Sequence, residues 1–207
     1  MLGAIGVATL SEVKDRRELL LGAVPCLFAL HEFIEGFVWL GLDGTLSPQV
    51  AHNAGAAFML YAQGILPFLL PFAVFLIEPT KRLRKRMMGF VILGGVLALY
   101  LMWGLIAYPL QISDQSHSVV YINVITNTTL VAILYVVATC GALFFSGFRK
   151  LVLLGWFNLA GLLVVMFMKR YAFTSVWCAY AAVLSVVVYF FFRRNRTHGM
   201  ARFAWAV

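Results

Sequence analysis

Residues 19–42 read LLLGAVPCLFALHEFIEGFVWLGL, a run with no Lys or Arg that carries His31, Glu32 and Glu35 in its middle. As a helix it would be about 36 Å long, enough to cross roughly 30 Å of hydrocarbon. The same reading extends outward. Apolar blocks recur over 54–77, 87–108, 119–145, 151–167 and 173–192, and a short one, 1–10, opens the chain. Continuous blocks predict helices, because barrel strands alternate over about ten residues and irregular backbone leaves unpaired groups in lipid. The expectation is an all-α polytopic transmembrane bundle of seven helices, the first short or truncated. It forms a single domain over 1–207 with a basic tail from 193.

Composition agrees. Of 207 residues, 63% are hydrophobic and 12% charged, and the mean hydropathy is +0.93. Soluble domains carry about a quarter charged residues, so this chain has too few to coat a water-facing surface. The net charge of +8 would suit nucleic acid, but the basic residues collect at block ends and form no stripe on a soluble domain. The expected partner is the lipid bilayer, with no nucleic acid. Connectors 11–18, 78–86 and 146–150 and the tail hold fourteen of the sixteen Lys and Arg, leaving Lys169 and Arg170 on the other side. The positive-inside rule then places the C-terminus in the cytoplasm and the N-terminus outside. Cys26, Cys140 and Cys178 all lie in apolar blocks, odd in number and without metal-ligand spacing, so they read as small buried residues. Met1 opens directly into apolar residues, so no cleavable signal peptide is expected.

With that orientation, the intramembrane polar groups gather in the outer half. His31 lies midway along the second helix and Glu35 one turn nearer the exterior. Four apart, they share a face, whereas Glu32 points about 100° away from His31. A carboxylate at that depth is costly unless it meets a cavity, a partner or water. Tyr61 and Gln63 of the third helix, Asn123, Thr126 and Asn127 of the fifth, and Thr174, Ser175, Trp177 and Cys178 of the seventh share its level. The pattern predicts a polar pocket open to the exterior and centred on Glu35. Its candidate ligand-binding residues are Glu35, His31, Gln63, Asn123, Asn127, Trp177 and Cys178. The plainer reading of the amides and hydroxyls is interhelical hydrogen bonding, worth about 1 kcal/mol or less each. Trp39, Trp103, Tyr108, Tyr121 and Trp177 suit an aromatic belt at the outer boundary. His31, Glu35, Asp114 and His117 are donors a metal could use, but their spacing assigns none, and no motif calls for a cofactor. The last block has no lysine, which excludes a retinal Schiff base.

Leu27-Phe28, Glu35-Gly36 with Val38-Trp39-Leu40, Glu78-Pro79 before the basic connector, and Ser175-Val176-Trp177-Cys178 leading to Tyr189 mark the chain further. Together they resemble a family of uncharacterised bacterial multi-pass membrane proteins, a domain of unknown function, over nearly the whole length. The resemblance implies the bacterial cytoplasmic (inner) membrane and brings no activity, substrate or cofactor. Members of that family open with a Cys-Phe-Ser-Ala segment that starts the first helix, whereas Met1 here falls in mid-helix. They also carry glutamines at the positions of His31 and Glu32, which favours Glu35 over His31 as the centre of a site.

Three functions compete. The first is binding or transport of a small molecule in the outer pocket, although the sequence shows no inverted repeat and no paired broken helices. The second is an intramembrane metal-dependent hydrolase resembling the ceramidase-like seven-helix group, which needs at least three clustered ligands. The third is a non-catalytic membrane factor acting through partners. The sequence says nothing of oligomeric state.

Overall fold

A computed structural model describes residues 1–115, 117–168 and 173–198. Within them the chain forms seven helices and one β-hairpin. The helices are α1 Leu2–Ser11, α2 Leu19–Leu42, α3 Pro48–Ile77, α4 Lys81–Ala107, α5 Thr129–Phe144, α6 Arg149–Met168 and α7 Phe173–His198. Between α4 and α5, β1 Gln111–Asp114 pairs antiparallel with β2 Val119–Ile122. Helices α2, α3, α4, α6 and α7 are long and apolar enough to cross a membrane, and α1 and α5 are apolar but shorter. The all-α bundle expected from the apolar blocks is the fold observed.

The outside of the bundle is as apolar as its inside. Ile92, Val96, Leu99, Trp103 and Ile106 follow helical spacing along α4, and each is more than half exposed. Water would penalise such a stripe, whereas lipid requires it. Inside, Leu21 and Phe28 of α2 meet Val74 of α3, Leu101 of α4, Leu143 of α5 and Phe192 of α7 in one core. Helix α2 packs on α1, α3 and α7, while α5 packs on α3, α4 and α6.

Prolines shape α3. Pro67 has no N–H to offer the carbonyl four residues back, and its ring would collide with that carbonyl. The helix widens into a π turn over Leu60–Ile65, and the Tyr135 hydroxyl donates to the Ala62 carbonyl at 2.6 Å. Pro71 repeats the effect one turn on. The Pro67 carbonyl it leaves without an intrahelical donor lies so close to Gly94 of α4 that a Cβ there would run into it. Glycine at position 94 therefore sets the α3–α4 approach, as small residues do between membrane helices.

The block 119–145 is not one helix, and this corrects the expected span. Val119, Val120 and Tyr121 are buried strand residues, and Asn123 to Thr128 form an irregular connection before α5. The run is rich in β-branched residues, which favour a pleated strand. Asn123 completes the break. Its side-chain amide donates to the Gly104 and Tyr108 carbonyls at 3.2 Å each, and its oxygen accepts from the Ile125 and Thr126 N–H groups. It thus satisfies carbonyls that the end of α4 leaves unpaired. The Thr128 hydroxyl caps α5 by accepting from Val131 N–H.

At the opposite end the connectors carry the basic residues. Asp15 and Glu18 close a capping box ahead of α2. Helix α3 starts at Pro48 and α4 at Lys81, each six residues earlier than the apolar blocks suggest. Pro at the first position and the Thr80 cap account for the earlier starts. Helix α7 runs on through the start of the expected basic tail to His198. Residues 199–207, Lys169 and Arg170 lie outside the described residues.

Candidate functional site

The hairpin end of the bundle holds the polar groups. Glu35 of α2 is 6% exposed and accepts a hydrogen bond from the Tyr121 hydroxyl of β2 at 3.2 Å. The Ser175 side chain of α7 is its other hydrogen-bond partner. Burial, and after it the Glu35 charge, push the Tyr121 phenol above its ordinary value, so Tyr121 stays a donor. The Tyr121 ring stacks on Phe58 at 4.9 Å, and Phe58 stacks in turn on His31 at 3.8 Å. Tyr61 tilts against the same imidazole at 4.7 Å. A short aromatic ladder thus runs from His31 to Tyr121 beside the carboxylate.

On the other side of Tyr121 lies a cavity of about 200 Å³ between α3, α5, α6 and α7. Its rim is formed by the exposed Asn127, Thr128 and Thr129, with Thr174 of α7 close by. Tyr135, Trp177 and Cys178 line it more deeply, and all three are buried. Trp177 is held by an indole N–H bond to the Asn158 carbonyl oxygen at 3.3 Å, and Asn158 donates onward to the Cys140 sulfur. Gln63 of the π turn and Tyr121 supply further polar wall, and Ala132, Val136 and Met166 an apolar one. Among the described residues no Lys, Arg, Asp or Glu lines the space. Irregular backbone within a bilayer persists only where protein buries it or it lines a cavity, and Thr126, Asn127 and Thr128 of the irregular connection line this one.

Over residues 1–203 the sequence matches a family of unknown function, DUF6629. The chain belongs to that family. No curated protein and no solved structure matches it.

In this DUF6629 chain the sequence-derived residues separate into two groups. Gln63, Asn127, Trp177 and Cys178 line the cavity. Glu35 and His31 do not. They sit behind Tyr121 and Phe58, so the pocket is centred on the Tyr121 side and not on Glu35. Asn123 is a 1%-exposed structural clamp in the connection before α5, not a pocket residue on a helix. Asn127 also leaves the expected helix face. Its amide donates to the Tyr121 carbonyl and its oxygen accepts from the Thr126 hydroxyl, so it braces the rim it belongs to. Tyr121 and Trp177, expected in an aromatic belt, are interior residues at 4% and 7% exposure. Trp103 and Tyr108 remain outward and pack edge to face.

A metal centre would need His31 and Glu35 to meet Asp114 and His117. Asp114 and His117 are exposed on the hairpin, with His117 at φ 58° in its turn, while His31 and Glu35 are buried. Among the described residues no three His, Cys, Asp or Glu side chains group closely enough to hold a metal ion. Sequence reasoning missed Tyr121 and Ser175 as partners of Glu35. A phenol in the β-branched run 119–126 was the available signal for the first. For the second it was a hydroxyl two positions before Trp177. Glu78 at the basic end was missed as well: it is fully buried and accepts from the Ser146 hydroxyl and the Gly147 N–H at 3.2 Å.

Proposed function

We propose that this is a multi-pass protein of the bacterial cytoplasmic membrane, its hairpin end facing the periplasm, that binds a small uncharged amphiphile in the cavity beside Tyr121. One observation carries the reading: a space of about 200 Å³ has amides and hydroxyls at its rim, aromatic rings in its depth and, among the described residues, no charged side chain on its walls. An apolar cavity of about 150 Å³ accepts benzene, so this one has room for a single ring with a polar substituent. Convergent polar groups on a largely apolar wall are the usual make-up of a ligand site. The described lining carries no charge and so selects against ions, because an ion entering it would lose its hydration without a counter-charge. Ala132 and Met166 are both cavity wall and outer surface, which gives a membrane-dissolved molecule a lateral way in between α5 and α6.

The test uses 4-bromophenol, a neutral ring with one hydroxyl and a heavy atom that quenches indole fluorescence. A variant keeping Trp177 as its sole tryptophan is reconstituted in lipid nanodiscs and titrated. Saturable quenching is expected from 4-bromophenol and none from the anionic 4-bromobenzoate. Ala132→Phe, which fills the wall, should leave only the linear quenching due to probe dissolved in lipid. Equal, linear quenching by both probes in the unfilled protein would sink the reading.

A further inference from the structure

Behind the Tyr121 wall lies a second set of polar atoms that the cavity does not use. Glu32 and Glu35 are three apart on α2, which puts them on neighbouring positions of one face. Glu32 keeps its place about 100° round the helix from His31, and the two carboxylates repel one another when both are charged. Glu35 already engages the hydroxyls of Tyr121 and Ser175. Glu32 Oε1, the Tyr61 hydroxyl and both nitrogens of His31 are buried without a hydrogen-bond partner among the described residues, and His31 is 1% exposed. Buried polar atoms are normally satisfied by protein or ordered water, so four orphans around two acids mark a place built to hold something.

Groups from α2, α3, β2 and α7 face the pair. On α2 there is His31, neither of whose nitrogens reaches a carboxylate. Helix α3 contributes Tyr61, β2 contributes Tyr121, and α7 contributes Ser175 and Cys178. None of these brings a positive charge into contact with the acids. The described Lys and Arg lie at 14–17, 81–86, 149–150 and 193–196, in the connectors and helix ends of the opposite end. Two neighbouring carboxylates with no counter-ion among the described residues hold one proton between them, because ionising both confronts like charges in a low dielectric. Among the described residues no three His, Cys, Asp or Glu side chains group here to hold a metal ion.

We propose that Glu32 and Glu35 form a buried proton-binding site carrying one shared proton at neutral pH, with Tyr61 and His31 completing its polar lining. The proton is taken from water. One O–H bond breaks on hydronium and one forms on a carboxylate oxygen, and nothing is oxidised or reduced. The unpartnered Gln63 carbonyl oxygen, on the cavity wall and on the same π turn as Tyr61, gives the proton a polar approach. The site stands whether or not the cavity takes a ligand.

Infrared spectroscopy of the full chain in lipid tests this directly. Protonated carboxyl groups show a carbonyl band, separate from that of carboxylates, which shifts in D₂O. Glu78 is also buried, so the measurement is made in a Glu78→Gln background. A carboxylic-acid band is expected at neutral pH, lost in Glu32→Gln/Glu35→Gln and lost on strong alkalinisation of the otherwise intact chain. If the double substitution does not fold, the alkaline titration of the intact pair decides by itself. No acid band at neutral pH overturns the proposal. So does a band that disappears when choline is replaced by sodium at constant pH, since the occupant would then be a metal cation.

Discussion

Glu78 shows how much one side chain can organise. It ends α3, and its carboxylate gathers the Ser146 hydroxyl and the Gly147 N–H from the turn before α6, while Arg84 donates to its backbone carbonyl at 2.9 Å. Removing the acceptor strands buried donors, so Glu78→Ala should cost about 1–3 kcal/mol, read from denaturant unfolding in micelles. Burial holds the Glu78 carboxyl above its ordinary value of 4.5, despite the opposing pull of Gly147, Ser146 and Arg84. A raised carboxyl binds its proton more tightly when folded. Its contribution to stability is therefore complete below 4.5 and is lost as pH rises through the raised value. Melting temperature against pH should show that decline in the unmodified chain and a flatter profile in Glu78→Gln. Glu78 was visible in the sequence only as part of a motif, because its partners stand 68 and 69 positions away. The depth of Glu35 was readable from its position in an apolar run, whereas the role of Asn123 depended on where α4 would end.

Among the elements, the helices were legible and the hairpin was not. Apolar run length separates a membrane helix from a loop, but the run 119–128 is apolar enough to pass as the start of one. Its β-branched residues and the Asn-Thr turn chemistry decide against a helix, a local preference that run length alone hides. The π turn was equally hidden, although Pro67 stands two residues beyond it. Contact between elements yields a paired prediction on α4. A Cβ at Gly94 meets the Pro67 carbonyl, whereas a Cβ at Gly89 meets nothing within 4 Å. Gly94→Ala should destabilise by roughly 1–3 kcal/mol, as overpacking does. Gly89→Ala should be neutral or gain up to about 1 kcal/mol of helix propensity. Thermal unfolding of the two variants side by side checks this, and equal effects would refute the backbone-to-backbone packing of α3 on α4.

For the whole molecule, the uneven placement of Lys and Arg carried the overall plan, and it predicts which end faces which compartment. The exposed Ser113 of β1 and Lys85 of α4 lie at opposite ends. In intact cells Ser113→Cys should react with a membrane-impermeant maleimide and Lys85→Cys should not. The reverse labelling pattern would invert the proposed orientation. Cys140 and Cys178 are buried, which limits background labelling. The cavity, by contrast, could not be located from the sequence, because it depends on where α5 begins. That late start has a mechanical consequence. With sixteen residues, α5 reaches only about 24 Å, several ångströms less than the hydrocarbon thickness of a typical bilayer. Lipid on that flank must pinch inward to match it, at a modest cost for each ångström of mismatch. The protein should therefore favour thin, short-chain membranes, and the dimple beside α5 would bring the headgroup layer down toward the threonine rim.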